Sequence, residues 1–278
     1  MLTYNHPISI GRGVSAMTQI SYDLDTILGY SVSVTNAAVA TYTYYWIHSV
    51  GSKYLLLWAN TGSDGTSTSS TKLYVHGFMF LDSTDGFTGQ ETFGASAFTD
   101  VVLANVGVSS IDSLKYVSSI MGGSYGGNYA MYDVDNKVLA YPATRTTMET
   151  STSYTNGFLI DEKDGKLLIL SGISLAGSNV DFLCYDGESR VIRGRVNKLT
   201  DSNTPLSGVA IILMGLNRCF SSNTTVSNLG YDYNCFSDSR IFSVLPPASI
   251  AYSMNHLIAL GDGSIYYRLG QIAYQISS

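Results

Sequence analysis

Charged side chains are scarce in this sequence. Asp, Glu, Lys and Arg together make up 13% of its 278 residues, about half of the ~25% that is usual in soluble proteins. A free cytosolic enzyme commonly depends on a dense coat of Lys and Glu for solubility, so this scarcity argues against that class. A lightly charged surface costs less free energy to desolvate, which favours subunits that remain packed against neighbours.

Basic residues are the rarer of the two signs, and the net charge is −6. Contacts with phosphate groups need clustered Lys and Arg, and the one dense basic cluster lies in residues 190–198. Its basic residues alternate with apolar ones, as expected for a strand with one face in water. The sequence therefore predicts no nucleic acid among the partners.

Cysteine is also rare. Three scattered residues are too few for a disulfide framework or a zinc site, and a protein that folds in the reducing cytosol keeps them as thiols. The four histidines share no ligand spacing, which indicates surface or strand-end positions and not metal ligands. We therefore expect no metal and no cofactor. The three cysteines are Cys184, Cys219 and Cys235, and the four histidines are His6, His48, His76 and His256.

Long apolar runs are absent as well. The longest, residues 209–216, has the length of a strand and falls far short of the ~20 residues of a membrane span. The first seven residues have neither the basic start nor the apolar run of a signal peptide. The sequence therefore predicts synthesis in the cytoplasm without membrane insertion.

In place of charge, the chain holds 27 Gly and 21 Tyr, and 45% of its residues are hydrophobic. That content is enough for a sizeable core and argues against a disordered chain. Short apolar segments alternate with turn residues. Strands joined by such short turns must run antiparallel, because a parallel return needs a crossover of a dozen or more residues. Hairpins are predicted at residues 41–60, 129–141, 158–170 and 180–196.

Two segments also fit a helix. In residues 14–27, apolar side chains recur at spacings of three and four and end at Gly29, although alternation within the segment fits a strand nearly as well. Residues 110–121 carry apolar side chains on one helical face, with Ser109 or Ser110 placed to cap the start and Gly122 to close the end. The remainder of the chain is predicted to be β.

Four segments near the C-terminus follow one order. They read as a strand, a Pro-Leu-Ser-Gly turn into a buried strand, an alternating strand with a Leu-Pro-Pro exit, and a closing hairpin, at residues 192–196, 201–212, 237–247 and 256–268. This order resembles the small transthyretin-like or immunoglobulin-like β-sandwich domains related to the carboxypeptidase regulatory module. The closing hairpin is similar to that of such modules on tailed-phage structural proteins.

The patterns and the resemblance together predict an all-β protein of two domains. The N-terminal domain, residues 1–188, is expected to be a large antiparallel sandwich, barrel or propeller. The C-terminal domain, residues 189–278, is expected from the resemblance to be an immunoglobulin-like sandwich, and its length is typical of that fold.

Catalytic motifs lack the structural context that they need. Residues 122–126 read Gly-Gly-Ser-Tyr-Gly, but the G-x-S-x-G motif of esterases needs a strand before the serine and a helix after it. Here a predicted helix precedes the motif and a strand-like segment follows. The two carboxylates that hydrolyse a sugar bond need only lie ~5–10 Å apart. However, five of the acidic residues between positions 161 and 188 fall in predicted turns, where such residues are expected because they suit turn geometry. They are Asp161, Glu162, Asp164, Asp186 and Glu188. No catalytic residue is assigned.

Aromatic residues are concentrated in the predicted hairpin of residues 41–60. Such a row is able to form a carbohydrate-binding platform, but aromatic strand faces are usually buried. We therefore expect core packing for Tyr42, Tyr44, Tyr45, Trp46, Tyr54 and Trp58.

The Gly-rich segment of residues 122–129 is interpreted as an exposed contact loop or as a close backbone crossing within the N-terminal domain. Four glycines in six residues cost much conformational entropy on ordering, which favours a loop whose tip is held by a partner. Tyr supplies broad contact area with few torsions to freeze. The predicted contact residues are Tyr125, Asn128 and Tyr129.

An adhesin-like composition in a chain made in the cytoplasm is typical of proteins that are released inside a virus particle. The sequence and the resemblance indicate a structural component of a tailed-phage virion, in the tail, baseplate, collar or capsid surface, and not an enzyme. Its expected partners are other virion proteins and further copies of itself, with a host-surface glycan as an additional partner. A bacterial surface or carbohydrate-binding module and a polysaccharide-degrading enzyme remain open as alternatives.

Overall fold

The fold is mostly β. A computed structural model describes residues 2–4, 14–37, 43–60, 73, 76–118, 131–133, 137–141, 157–172, 179–197, 212–215, 241–245, 257–259, 261–269 and 272–277. These residues contain seventeen strands, arranged in three sheets, and two helices of 13 and 12 residues. The prediction of a chain dominated by antiparallel strands is confirmed.

The secondary structure elements follow in chain order. They are β1 (Leu2–Tyr4), α1 (Val14–Thr26), β2 (Val32–Thr35), β3 (Thr43–Val50), β4 (Lys53–Asn60), β5 (His76–Leu81), α2 (Ala95–Val106), β6 (Tyr116–Ser118), β7 (Met131–Asp133), β8 (Val138–Tyr141), β9 (Gly157–Lys163), β10 (Lys166–Gly172), β11 (Asn179–Tyr185), β12 (Val191–Asn197), β13 (Ile212–Gly215), β14 (Ile241–Leu245), β15 (Leu257–Ala259), β16 (Ile265–Leu269) and β17 (Ile272–Ser277).

The chain divides into two units. The mixed unit, named for its helices and strands, comprises Ile10–Ser124 and Leu183–Arg193, and the β unit comprises Met1–Ser9, Tyr125–Phe182 and Gly194–Ser278. The predicted boundary between residues 188 and 189 falls in the turn between β11 and β12. Independent folding of residues 189–278 stays a prediction.

The mixed unit is built on a five-stranded sheet of order β2-β3-β4-β5-β6. All four pairings are antiparallel. The β3–β4 hairpin turns through only two residues, since Val50 pairs with Lys53. Gly51 in this turn has φ +59°, the left-handed conformation that matches the twist of the flanking strands. The predicted hairpin is confirmed.

Helix α1 confirms the helical reading of residues 14–27. Met17, Ile20 and Leu24 are fully buried, so their helical spacing places one face against the sheet. Gly29 has φ +78°, and its amide donates to the carbonyl of Asp25 at 3.1 Å. Glycine is favoured at such a left-handed helix end because it has no Cβ.

The helix predicted at residues 110–121 is wrong over residues 110–118, the part of this segment that the structure describes. The chain makes a single 3₁₀ turn, Ile111–Ser113, in which the Ser110 hydroxyl accepts from the Asp112 amide, and then enters β6. Tyr116 pairs with Met79 of β5, and its ring lies 6.1 Å from that of Trp58. Pairing with a distant strand therefore overrides the local helical periodicity.

Helix α2 was not predicted, although its sequence carries two helical signals. Phe98, Val102 and Asn105 are buried on one face at spacings of four and three, and Gly107 ends the helix with φ +67°. The start lacks a signal, because Gly94 at the N-cap makes no side-chain hydrogen bond to the helix.

Both faces of the mixed unit's sheet are covered by helices. Ile47 and Met79 pack in one core cluster with Phe98 and Val102 of α2, whereas α1 contacts the face that carries His48. The side chains of β5 are consequently buried at every position, a pattern usual for a sheet covered on both sides.

The core packing predicted for the aromatic hairpin is confirmed for Tyr45, Trp46 and Trp58, which are buried. Tyr44 and Tyr54 are half-buried. Tyr42 lies outside the described residues.

The other two sheets are formed by residues of the β unit, apart from the end of β11 and the start of β12, which belong to the mixed unit. One has the order β1-β7-β8-β9-β10-β11-β12 and the other β13-β14-β17-β16-β15. The β7–β8 and β9–β10 hairpins confirm two predictions. The closing hairpin predicted near the C-terminus is confirmed by the antiparallel pair β15–β16.

Candidate functional site

Ser21 on α1 and His48 on β3 form a buried pair where the helix meets the sheet of the mixed unit. Oγ of Ser21 lies 2.8 Å from Nε2 of His48, and Nδ1 of His48 lies 2.6 Å from the carbonyl oxygen of Tyr30. Ser21 is 3% exposed and His48 0%. The surface or strand-end position predicted for His48 is wrong, because α1 covers this face of β3.

The hydrogen bonds determine the protonation of His48. The Tyr30 carbonyl can only accept, so Nδ1 of the neutral ring carries the proton and Nε2 accepts from the Ser21 hydroxyl. Burial lowers the pKa of His48 and outweighs the Tyr30 carbonyl and the Asp25 carboxylate, which both raise it. The neutral ring satisfies both nitrogens, and no charge is placed in the core.

A hydroxyl hydrogen-bonded to an imidazole is the arrangement that activates a serine nucleophile. In catalytic sites a third group, commonly a carboxylate, orients the imidazole. Here the group bonded to His48 is the Tyr30 carbonyl, and Ser21 lies within a helix. Both side chains are buried, so a substrate does not reach Oγ of Ser21 in this structure. The geometry supports a structural role, in which the buried hydrogen bond between Ser21 and His48 attaches α1 to the sheet.

We expect the mixed unit to lose stability as the pH falls below 6.5. The unfolded chain takes up a proton at His48 below the ordinary pKa of 6.5, whereas the folded chain, with its lowered pKa, does so only at lower pH. The unfolded state binds more protons in this window, so the free energy of unfolding falls with the pH. An NMR titration should give a His48 pKa below 6.5.

The matched variant is His48→Gln, which cannot titrate. The difference in unfolding free energy between wild type and variant should shrink as the pH decreases through this window. A His48 pKa at or above 6.5, or a difference that is independent of pH, would contradict the assignment of a neutral buried ring.

A second polar cluster ties the loop between β5 and α2 to the sheet through Glu91. Oε1 accepts from the amide and the hydroxyl of Thr88. Oε2 accepts from the Tyr45 hydroxyl at 2.6 Å and from the Gly89 amide at 3.1 Å. Four donated hydrogen bonds match the acceptor capacity of one carboxylate, so this group offers no further position to a ligand.

Tyr45 and Glu91 in this cluster shift each other's pKa. Burial raises the pKa of Tyr45, and the hydrogen bond to Glu91 raises it further. Burial on its own would raise the pKa of Glu91, but the hydrogen bonds from Thr88 and Tyr45 outweigh it and lower the pKa to about 2. The loop therefore stays tied to β3 by a carboxylate that is charged at neutral pH.

The tip of the β11–β12 hairpin belongs to the mixed unit and is anchored by Tyr185. Its hydroxyl accepts from the Ser52 amide at 3.1 Å and donates to the Glu188 carbonyl at 3.0 Å. Its ring lies 5.1 Å from that of Phe80. Oδ1 of Asp186 accepts from three following backbone amides at 2.9 to 3.0 Å, which confirms the turn predicted there.

The acidic residues of the β9–β10 hairpin are placed differently from the prediction. The turn contains only Asp164 and Gly165, whose φ angles are 52° and 76°. Asp161 and Glu162, which were predicted in the turn, lie within β9 and are buried. As consecutive strand residues they point to opposite faces of the sheet. They do not form the facing pair that sugar hydrolysis requires.

Glu162 links the two neighbouring turns of the β unit. Its carboxylate forms an ion pair with Lys137 of the β7–β8 turn, and its Oε1 accepts from the Gly165 amide at 3.2 Å. The Glu162 amide donates to the Lys137 carbonyl at 3.1 Å. Glu162 makes these contacts from within β9, which continues to Lys163.

The predicted contact residues Tyr125, Asn128 and Tyr129 lie outside the described residues, and so does the motif at residues 122–126. Their role stays a prediction. The same holds for His6, His256, Cys219 and Cys235. Cys184 is described and is a buried thiol, with Sγ 3.9 Å from the Tyr185 carbonyl oxygen.

No group of three or more His, Cys, Asp or Glu side chains among the described residues is arranged to hold a metal ion. No helix in the described part of the chain is both long enough and apolar enough to cross a membrane.

Comparisons with known proteins found no match to this chain among protein-family models, curated proteins or solved structures.

The sequence did not connect the partners of either buried cluster. Ser21 and His48 are 27 positions apart, and Tyr45 and Glu91 are 46 positions apart. The one local signal is the Thr88–Glu91 spacing, in which a hydroxyl residue precedes an acidic residue by three positions, as in a capping box. Here the Thr88–Glu91 pair stabilises a loop and does not cap the start of a helix.

Proposed function

We propose that this protein is a structural component of a tailed-phage virion, in the tail, baseplate, collar or capsid surface. The observation that carries the proposal is the ordered set of C-terminal segments that resembles the sandwich modules of tailed-phage structural proteins. Strand β14 and the hairpin β15–β16 coincide with two of these segments and lie in one sheet, which supports the interpretation of those two as parts of one module. Strand β12 coincides with the first segment but belongs to the seven-stranded sheet.

In this proposal, residues 189–278 form an immunoglobulin-like sandwich and residues 1–188 form the larger body of the protein. A sandwich needs two antiparallel layers. The five-stranded sheet β13-β14-β17-β16-β15 has the size of one layer, and its antiparallel pairings support the assignment.

The role of such a component is assembly. A chain with 13% charged residues loses little hydration free energy when its surface is covered by neighbours. Contacts with other virion proteins, or with a host-surface glycan, are assigned to the loop of residues 122–129 through Tyr125, Asn128 and Tyr129. The hairpin aromatics Tyr45 and Trp58 are fully buried, so they do not supply a sugar-binding platform.

The test is the composition of purified phage particles that package the gene for this chain. We expect mass spectrometry to detect the protein in several copies per particle, because a structural component is incorporated stoichiometrically. Its absence from such particles would contradict the virion role.

The contact loop is tested with the double variant Tyr125→Ser and Tyr129→Ser. If the two rings make partner contacts, the isolated protein keeps its melting temperature while incorporation into particles falls. A melting temperature lower by several degrees would place the rings in the core and exclude this loop as the contact.

A further inference from the structure

His48 holds the C-terminal half of helix α1 at two points. Its Nε2 accepts from the Ser21 hydroxyl at 2.8 Å, and its Nδ1 lies 2.6 Å from the carbonyl oxygen of Tyr30. The Tyr30 amide in turn donates to the carbonyl of Leu24 at 2.9 Å. One imidazole ring therefore connects strand β3 both to the body of the helix and to the turn that ends it.

The contacts of α1 with the sheet are of two kinds. Burial of Met17, Ile20 and Leu24, which are fully buried, holds the helix at any pH because these side chains do not titrate. The contact through His48 depends on pH, since imidazole takes up a proton near pH 6.5. Acid therefore weakens the second kind of contact and leaves the first unchanged.

The chain between α1 and β2 has the features of a hinge. It turns at Gly29, which has φ +78° and at which an added Cβ would meet no heavy atom within 4 Å. Gly29 and Ser31 are exposed. The helix can move about this turn while β2 remains paired with β3.

The protonated ring has no carboxylate bonded to it in this position. The groups that contact its nitrogens are neutral oxygens of Ser21 and Tyr30. Burial lowers the pKa of His48, while the Tyr30 carbonyl and the Asp25 carboxylate raise it by less. Asp25 is exposed, so water and salt screen its charge. Strands β2 and β3 contain no Asp, Glu, Lys or Arg.

The other strands of this face place apolar side chains beside the ring. Leu55 of β4 pairs with His48, and Phe80 of β5 pairs with Leu55. The remaining charged or acid-titrating groups on the described elements around His48 are the buried His76 of β5, the buried Asp23 of α1, whose Oδ1 accepts from Gln19, and Lys53 of β4, which is paired with Asp82. Tyrosine hydroxyls stay protonated in acid. None of these groups is bonded to the His48 ring, so its charge is not neutralised while α1 is closed.

We propose that protonation of His48 releases α1 from the sheet, so that acid increases the fraction of molecules in which the helix is open while the strands remain paired. In the open form the charged ring and the Ser21 hydroxyl bond to water. The sheet face beneath α1 becomes accessible, including Trp46, which shares that face with His48 because alternate residues of a strand point the same way. Trp46 is 4% exposed in the closed form. The inference goes beyond the assembly role and does not rest on it.

Proton uptake sets the size of the effect. Between pH 6.5 and the lower pKa of the closed form, the open form binds one proton more than the closed form. The equilibrium constant for opening should therefore increase by up to about tenfold for each unit by which the pH falls within this window. The apolar contacts of α1 persist, so the open form stays a minority population and the helix is not lost.

Amide hydrogen exchange of the full chain measures this opening. Exchange rates divided by the intrinsic rate at each pH give an opening constant for each amide. The amides of α1 should have larger opening constants than those of β4, and these constants should increase as the pH falls below 6.5. Urea separates local from global opening, because releasing one helix exposes less surface than unfolding. The constants of α1 should depend weakly on urea, and those of β4 strongly.

Two variants assign the effect to one ring. His48→Gln cannot take up the proton, so the opening constants of α1 should no longer depend on pH. His76→Gln removes the other buried histidine of this face and should leave the dependence unchanged. Equal opening constants and equal urea dependence of α1 and β4 in the wild type would show that the helix opens only when the unit unfolds, and would overturn the proposal. Opening of α1 that does not change with pH, or that still changes in His48→Gln, would overturn it as well.

Discussion

Gly77→Ala should lower the unfolding free energy of the mixed unit, and by more than any of the other glycine-to-alanine substitutions discussed below lowers that of its own unit. A Cβ at position 77 would lie 2.4 Å from the carbonyl oxygen of Val117 and 2.6 Å from Cη2 of Trp58. The first atom belongs to the backbone of β6, and the second to an indole ring that is 0% exposed. Neither can move without repacking the core, and overpacking costs about 1–3 kcal/mol or more. We expect a loss at the upper end of that range in urea unfolding.

The physical basis is the pairing of Trp58 with Gly77 across β4 and β5. The ring occupies the space that a side chain at position 77 would need. Gly94→Ala is the matched control, because a Cβ there meets no heavy atom within 4 Å and the position tolerates Ala at a cost below about 1 kcal/mol. Equal stability of the two variants would mean that Trp58 does not require a glycine opposite it.

Gly194→Ala should destabilise the β unit by about 1–3 kcal/mol. Its Cβ would lie 2.5 Å from Cε1 and from Cζ of Phe182. Gly194 is on β12 and Phe182 on β11, which are neighbours in the seven-stranded sheet. Phe182 is half-buried, so its ring can yield in part, and the loss should be smaller than at Gly77. Amide hydrogen exchange of β9 and β10 reports the stability of this unit separately.

A double-mutant cycle separates the ring contact from other effects. In a Phe182→Leu background the clash is relieved, so Gly194→Ala should cost clearly less than in the wild type. Gly261→Ala is the control within the same unit, because a Cβ there meets nothing within 4 Å. Additive losses in the cycle would show that the two side chains do not compete for the same space.

Gly194 lies in the first of the segments that resemble the phage modules, but the role that the structure gives it is steric. A glycine there leaves the space that the aromatic ring of the adjacent strand occupies. The prediction from Gly194 is therefore independent of the family resemblance, and its outcome bears on the fold of the β unit alone.

The hairpins of this protein were determined by the sequence itself. Gly51 between β3 and β4, and Asp164 with Gly165 between β9 and β10, are residues that adopt positive φ, and apolar strands flank both turns. Turn chemistry and strand alternation are properties of neighbouring residues. They can be read without knowledge of the rest of the chain, and the dominance of antiparallel β structure follows from them.

Helices were determined only in part. The spacing of apolar residues in α1 and the glycine after it indicated a helix, but alternation within the same residues fitted a strand. Contact of Met17, Ile20 and Leu24 with the sheet decided between them. At residues 110–121 the local pattern favoured a helix, and pairing of Tyr116 with β5 decided for a strand.

The buried polar clusters were decided by tertiary structure alone. His48 becomes a buried neutral ring because α1 packs over it, and the pKa of Glu91 is lowered because Tyr45 and Thr88 donate to its carboxylate. Both effects come from burial and from hydrogen bonds between residues far apart in sequence, and neither is encoded in the identity of the neighbouring residues. The edge position of β2 has the same origin: its residues can be read as a strand from the sequence, but only the order of the strands places it at the edge of the sheet.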